Sequence, residues 1–153
     1  MRGVVAVAVL GALPALALEV PPVPTRFVTD YSGRFSSAGL ARAEAALAEL
    51  HRAHGHQVIA VFLPTLDGES LEDFTVRCAA AWRVGRRGLD DGVIFFAFLG
   101  DRRMRLEVGY GLEATLTDAV ARRLLDSAVR PHFAGGDYAG GVVALARALG
   151  RVY

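Results

Sequence analysis

Two segments in the middle of the chain, "HQVIAVFLP", residues 56–64, and "GVIFFAFL", residues 92–99, carry continuous apolar runs. Neither alternates with polar residues and both are rich in β-branched or aromatic side chains, so each predicts a strand covered on both faces. The run "RRMRLEVGY", residues 102–110, behaves differently, because Met104, Leu106 and Val108 alternate with Arg103, Arg105 and Glu107. That period of two predicts a half-exposed strand, and Gly100-Asp101 supplies the turn of a hairpin with the run before it. Helical spacing fills the gaps. Leu40, Leu47 and Leu50 share one stripe of a helix predicted over 37–54, with Ser36 or Ser37 as N-cap and Gly55 as its stop. Ser70, with Asp73 three residues on, predicts a capping box opening a second helix that ends at Val84-Gly85. A third helix is expected from about Thr115 to Val129, stopped by Pro131, and a last one capped by Asp137.

The order strand, helix, strand over residues 57–99 calls for a right-handed crossover between parallel neighbours, to which the hairpin adds an antiparallel strand. The fold class expected is therefore α/β: a three-layer αβα sandwich on a small mixed sheet of three or four strands. Trp82, Phe74 and Phe133 are expected in its core. A chain of 153 residues makes one domain the default and buries roughly two-thirds of its unfolded surface. Ahead of the domain, Met1-Arg2 is a short positive start, Gly3 to Leu16 is apolar, and Ala15-Leu16-Ala17 has a small-x-small cleavage pattern. Residues 1–17 read as a signal peptide, with retention as an uncleaved anchor the alternative. "EVPPVP" then reads as an extended tether within a linker of residues 18–25, and the domain as 26–153. Export is the expected localisation, periplasmic or extracellular.

Charge removes one class of partner. With 17 basic and 16 acidic side chains there is no overall field to draw nucleic acid or anionic lipid. A nucleotide needs closer attention, because Gly109, Gly111 and Ala114 in "LEVGYGLEATLTDA" have the dinucleotide-binding spacing. No apolar strand follows to complete a crevice, and Glu113 and Asp118 would repel a phosphate, so the layering is Rossmann-like without the nucleotide. The same carboxylates suit a cation. The hairpin returns Gly109–Glu113 to the end of the sheet where Asp90 and Asp91 enter, which would gather Asp90, Asp91, Glu113 and Asp118 as oxygen donors for calcium or magnesium. The plainer alternatives are a capping role for Asp118 and a turn role for Asp91.

Five segments together, "VTDYSGRFS", "HQVIAVFLPTLDGESLEDF", "AWRVGRRGLDDGVIFFAF", "GDRRMRLEVGYGLEATLTDA" and "VRPHFAGGDYAGGV", resemble the TPM domain family over residues 28 to about 149. That family is named from plant thylakoid lumen, photosystem-associated and nematode receptor-accessory members and is common among bacterial exported proteins. The resemblance implies an αβα sandwich, a cation site reported as calcium or magnesium in some members, and a weak acid phosphatase activity ascribed to plant ones. The family's recurring acids match Asp30, Asp91, Asp101, Glu113 and Asp118 here, although many members have Asn at the place of Asp91. Asp30 joins the candidate ligands on this ground alone, against an ion pair with Arg102 as the alternative, and Asp101 is left as a turn acid. Many bacterial relatives continue into a membrane helix and a glycine-rich tail, whereas this sequence stops at Tyr153.

Other constellations point less far. His51, His54 and His56 are expected to sit at the negative end of the first helix, with zinc or copper the alternative. The lone Cys78 is expected to be buried and inert. Arg83, Arg86 and Arg87 form a basic patch that is a solvated loop or, beside a metal, a grip for a phosphoryl oxygen. No serine or cysteine nucleophile with a neighbouring base is apparent. Two functions follow as expectations: a cation-binding accessory module, monomeric, with a protein partner in or at the membrane, or a metal-assisted phosphatase.

Overall fold

A computed structural model describes Gly11 and residues 17–153. The leader expected over residues 1–17 therefore lies, apart from Gly11 and Ala17, outside the described residues. The elements are β1 (Val28–Asp30), α1 (Ser37–His54), β2 (Val58–Leu63), α2 (Leu71–Trp82), β3 (Val93–Phe98), β4 (Arg103–Val108), α3 (Asp118–Leu124), α4 (Arg130–Ala134) and α5 (Tyr138–Val152). The sheet order is β1-β2-β3-β4, with the first three strands parallel and β4 antiparallel to β3.

Every residue of β2 and β3 is buried, which is why their sequences carry no polar alternation. One face, carrying Val58, Ala60, Phe62, Val93, Phe95 and Ala97, packs on α1 and the C-terminal helices. The other, carrying Ile59, Val61, Ile94, Phe96 and Phe98, packs on α2 through Phe74, Cys78 and Trp82. These are the three expected layers. Both connections, β1–α1–β2 and β2–α2–β3, step the same way across the sheet, yet their helices lie on opposite faces. The two crossovers are consequently of opposite hand, and the right-handed rule holds for only one. Strand twist enforces that rule, and β1, three residues long, supplies the least of it.

The helix signals of the first half operate as written. Ser36 accepts from the N–H of Gly39 at the start of α1, and Gly55 closes the helix in the left-handed region at φ 75. Ser70 accepts from Asp73 N–H, and α2 stops at Trp82 on a left-handed Arg83, two residues earlier than expected. β1 was not foreseen. It is too short to show periodicity, and it is held by pairing with β2 and by Glu44 of α1, whose carboxylate accepts the N–H groups of Phe27 and Val28.

The second half departs further. The third helix begins at Asp118 behind the cap Thr117, not at Thr115, and Pro131 does not end it. Residues 125–129 widen into a π turn in which Arg130 N–H reaches back to Leu125 O. This wider bonding replaces the ordinary pattern at the turn before the ring, so the helix continues as α4 to Ala134. The "EVPPVP" segment is likewise not a free tether: Leu18 and Val20 pack against the α2-side core, and Trp82 Nε1 donates to Pro21 O at 2.9 Å.

Phe62 sits at the centre of the larger core, its ring 4.7 Å from Phe35 and 5.8 Å from Phe95 between centroids. Phe62→Ala should lower the unfolding free energy by about 3–5 kcal/mol, a large part of the ~5–15 kcal/mol typical of a domain. Urea unfolding of the two proteins measures it.

Candidate functional site

The loop from Arg83 to Gly92 and the turn from Gly109 to Glu113 meet at the end of the sheet where β3 begins and β4 finishes. Gly109 N–H donates to Gly92 O at 2.8 Å, and Gly111 N–H to Asp90 O at 2.9 Å. A Cβ on Gly109 would lie inside the contact radius of Asp90 O, and one on Gly111 inside that of Leu89 O. The glycines are therefore required for one backbone to lie on another. Their amides, which a phosphate cradle would need, are already bonded to carbonyls, and the chain continues into a single 3₁₀ turn, Tyr110–Leu112, instead of a helix.

Asp91 is the anchor of this end. It is 3 % exposed, one of two buried polar residues among those described, the other being Thr75. One carboxylate oxygen accepts from Arg86 N–H at 2.7 Å, and the other from Arg86 Nε at 2.7 Å, Arg86 Nη2 at 2.6 Å and His56 Nδ1 at 3.3 Å. An ionised carboxylate only accepts, so His56 Nδ1 carries the proton of that bond. Burial alone would push the Asp91 carboxyl up, but the bonds from Arg86 and His56 outweigh it and hold the group below its ordinary range. Tyr153 covers the pair, its ring 4.4 Å from that of His56, and burial pushes its phenol up to about 12. Its hydroxyl has no hydrogen-bond partner among the described residues.

The remaining acids are distributed as follows. Asp90, at φ 46, and Glu113 are exposed on the two joined loops, as the hairpin argument expected. Asp118 is exposed at the first position of α3. Asp30 lies at the other end of the sheet: it is level with Phe62 and so with Ala97, whereas Asp91 lies roughly 20 Å back along β3 at ~3.3 Å per residue. There it caps its own turn, accepting from the N–H groups of Ser32, Gly33 and Phe35, and among the described residues it makes no ion pair with Arg102. Asp101 accepts from Leu66 N–H at 2.6 Å. Asp30 is thus too distant to share an ion with Asp91. Among the described residues, no three His, Cys, Asp or Glu side chains converge as metal ligands. The donor set at Asp91 fits an arginine, not a resident divalent ion.

A cleft of about 730 Å³ opens beside the joined loops, between the end of α2 and the end of β4. Arg83, Arg86, Arg87, Asp90, Glu107 and Tyr110 supply its polar lining, and no serine, threonine, cysteine or histidine contributes. Glu107 is engaged by Thr75 Oγ1 and Arg105 Nε, each at 2.7 Å. Arg83 and Arg87 make no ion pair among the described residues. Sequence reasoning grouped the three arginines but missed that Arg86, five residues before Asp91, is its counter-ion, and it placed His56 only at the helix end. Cys78 is fully buried, its thiol pushed up to about 12 by burial.

The TPM domain model matches residues 28–152, nearly the whole described chain. The chain belongs to the TPM domain family. The N-terminal domain of a protein from P. gingivalis, solved by NMR, is similar at 35% identity and a TM-score of 0.73, covering 84% of this chain and 82% of that one. The N-terminal domain of the cg2496 protein from Corynebacterium glutamicum is similar at 25% identity and a TM-score of 0.66, covering 89% and 86%. The BA42 protein from Bizionia argentinensis shares the fold, with a TM-score of 0.67 at 12% identity over 77% and 80% of the two chains. No functionally curated relative matches the chain. Within the described part of this TPM domain no helix is long and apolar enough to cross a membrane.

Two measurements test the site. Gly111→Ala should part the loops and cost about 1–3 kcal/mol, as overpacking does, seen as a lower Tm. Asp91→Asn should cost about 2 kcal/mol at neutral pH, less than the ~3–5 of a fully buried pair because Arg86 is half exposed. A depressed carboxyl stabilises above its unfolded pKa, near 3.8 here, and loses that contribution as pH falls through the lower folded value. The two unfolding curves should therefore converge in acid.

Proposed function

We propose that this TPM domain is an exported, non-enzymatic interaction module that takes an acidic segment of a partner protein, in or at the membrane, against the cleft beside the joined loops. The observation that carries this reading is the composition of the rim. Tyr110, 80 % exposed, lines the cleft together with Arg83, Arg86 and Arg87, and Leu89, 52 % exposed, lies on the same loop as the arginines. Tyrosine and arginine are the residue types that concentrate binding energy at protein interfaces. Backbone bonds between the two loops hold them in place before any partner arrives, which reduces the ordering cost of association. Export is supported by the leader pattern of residues 1–17. Against hydrolysis stands the cleft's lack of a nucleophile with a base.

A divalent cation is the second reading, favoured by the exposed carboxylates of Asp90 and Glu113 on loops bonded through Gly111. Such an ion would have to displace Arg86 from Asp91 in order to use it. The test uses the purified chain from Leu18 onward. A variant with Arg83→Glu, Arg87→Glu and Tyr110→Ala should keep the wild-type Tm and lose cross-linking to the envelope partner that the wild type captures. Hydrolysis of a generic phosphate ester should stay at the buffer rate with calcium or magnesium present. Turnover abolished by Asp91→Ala would favour a phosphatase instead. A rise in Tm with either ion, reflecting about 2.7 kcal/mol of added stability at a hundred times Kd, would favour the cation reading.

A further inference from the structure

The segment ahead of β1 is held by a clamp that reads a single residue. Glu69, in the loop before α2, accepts the N–H of Leu18 at 2.8 Å on one oxygen and takes Arg77 Nη1 on the other. Arg77 Nη2 in turn donates to Leu18 O at 2.9 Å, and its guanidinium lies 5.6 Å over the ring of Phe74. One carboxylate and one guanidinium thus bind both backbone polar groups of Leu18, whose side chain packs against the α2-side core. Leu18 is also the first residue after Ala15-Leu16-Ala17, the small-x-small pattern of the leader.

An amide offers Glu69 one neutral donor. A chain beginning at Leu18 would offer an ammonium, so that both partners carry charge and a full ion pair replaces a bond in which only the carboxylate is ionised. We propose that Glu69 and Arg77 are the receptor for a new N-terminus: an endopeptidase that accepts small residues cuts the Ala17–Leu18 bond, and Glu69 binds the α-ammonium so released. The cut is a hydrolysis. The water's hydroxyl goes to the Ala17 carbonyl carbon and its hydrogen to the Leu18 nitrogen, which takes one more proton from solvent at neutral pH. The Leu18–Pro21 strap already lies along α2 in the uncut chain, with Trp82 bonded to Pro21, so leader removal strengthens a docking that is in place. The inference rests on the export reading above.

The charges around the amine are few. Among the described residues, Glu69 is the one anion bonded to the Leu18 nitrogen. Arg77 opposes it from α2, with Asp73 and Cys78 behind Arg77, Glu107 of β4 beyond Cys78, and Glu19 exposed next in sequence. The bond from Arg77, helped by Leu18 N–H and against the effect of burial, already holds the Glu69 carboxyl below its ordinary range, so it is an anion at neutral pH.

All 17 basic side chains are arginines, so the α-amine is the sole primary amine of the chain and can be modified alone. The chain 18–153, released from a fusion with no extra residue, is labelled by reductive ¹³C-methylation and titrated by NMR, in wild type and in Glu69→Gln. The amine should titrate about half a unit to one unit above the ~8 of a free terminus, three- to tenfold in proton affinity, and return to the ordinary value in Glu69→Gln. A raised amine pKa stabilises below its unfolded value and loses that contribution as pH rises through the folded one. The urea midpoint of the free-amine form should therefore exceed that of the acetylated form, and of the form retaining Ala17, at neutral pH and meet them in alkali. An ordinary amine pKa in the wild type, or equal midpoints at neutral pH, overturns the receptor. N-terminal sequencing of protein recovered from cells tests the cut: Leu18 supports it, and another start overturns it. A chain with its leader intact overturns the export reading as well, whatever the amine does in vitro.

Discussion

Placing an ionised carboxylate among apolar side chains costs several kcal/mol unless its lone pairs are met, and one end of this molecule is arranged around that requirement. Asp91 lies just before β3, where the chain passes under the sheet end and water is excluded. Arg86 meets it with its backbone N–H and its guanidinium, which closes residues 86–91 into a ring. His56, beyond the end of α1, adds a third donor and ties the first crossover to the second. The loop's unusual backbone follows: Arg83 and Asp90 both occupy the left-handed region, a conformation held only where neighbouring contacts over-determine it.

The glycine turn after β4 depends on that ring. With the 86–91 loop fixed, its carbonyls at Leu89 and Asp90 and that of the adjoining Gly92 face the returning chain, and only residues without a Cβ can approach them. A spacing that matches a nucleotide-binding fingerprint has here a purely internal cause. The same fixed loops leave Tyr110 and the three arginines lining the cleft.

On the α2 face the same economy recurs with a different pair. Glu69 and Arg77 neutralise each other, and the polar groups left over are directed at Leu18. The proline-rich segment, which cannot form helix or a central strand, is thereby given a fixed course along the helix, with Trp82 and the α2-side core beneath it.

Local rules were enough for most of the fold. The buried runs became β2 and β3, the alternating run became β4, and Ser36, Ser70 and Asp137 cap helices because a side-chain acceptor beside free N–H groups acts within three residues. Covalent order alone fixed the hairpin, and with it the meeting of Asp90 and Asp91 with the 109–113 turn. What a sequence cannot express is which partner a side chain finds across space. Asp91 was equally suited to an ion or an arginine, and it was the path of the loop that brought Arg86 to it. Pro131 reads as a helix stop because the π turn that accommodates it is selected by packing, not by propensity. Strand β1, the opposite hands of the two crossovers and the clamp on Leu18 likewise belong to tertiary structure alone, since each depends on contacts between residues far apart in the chain.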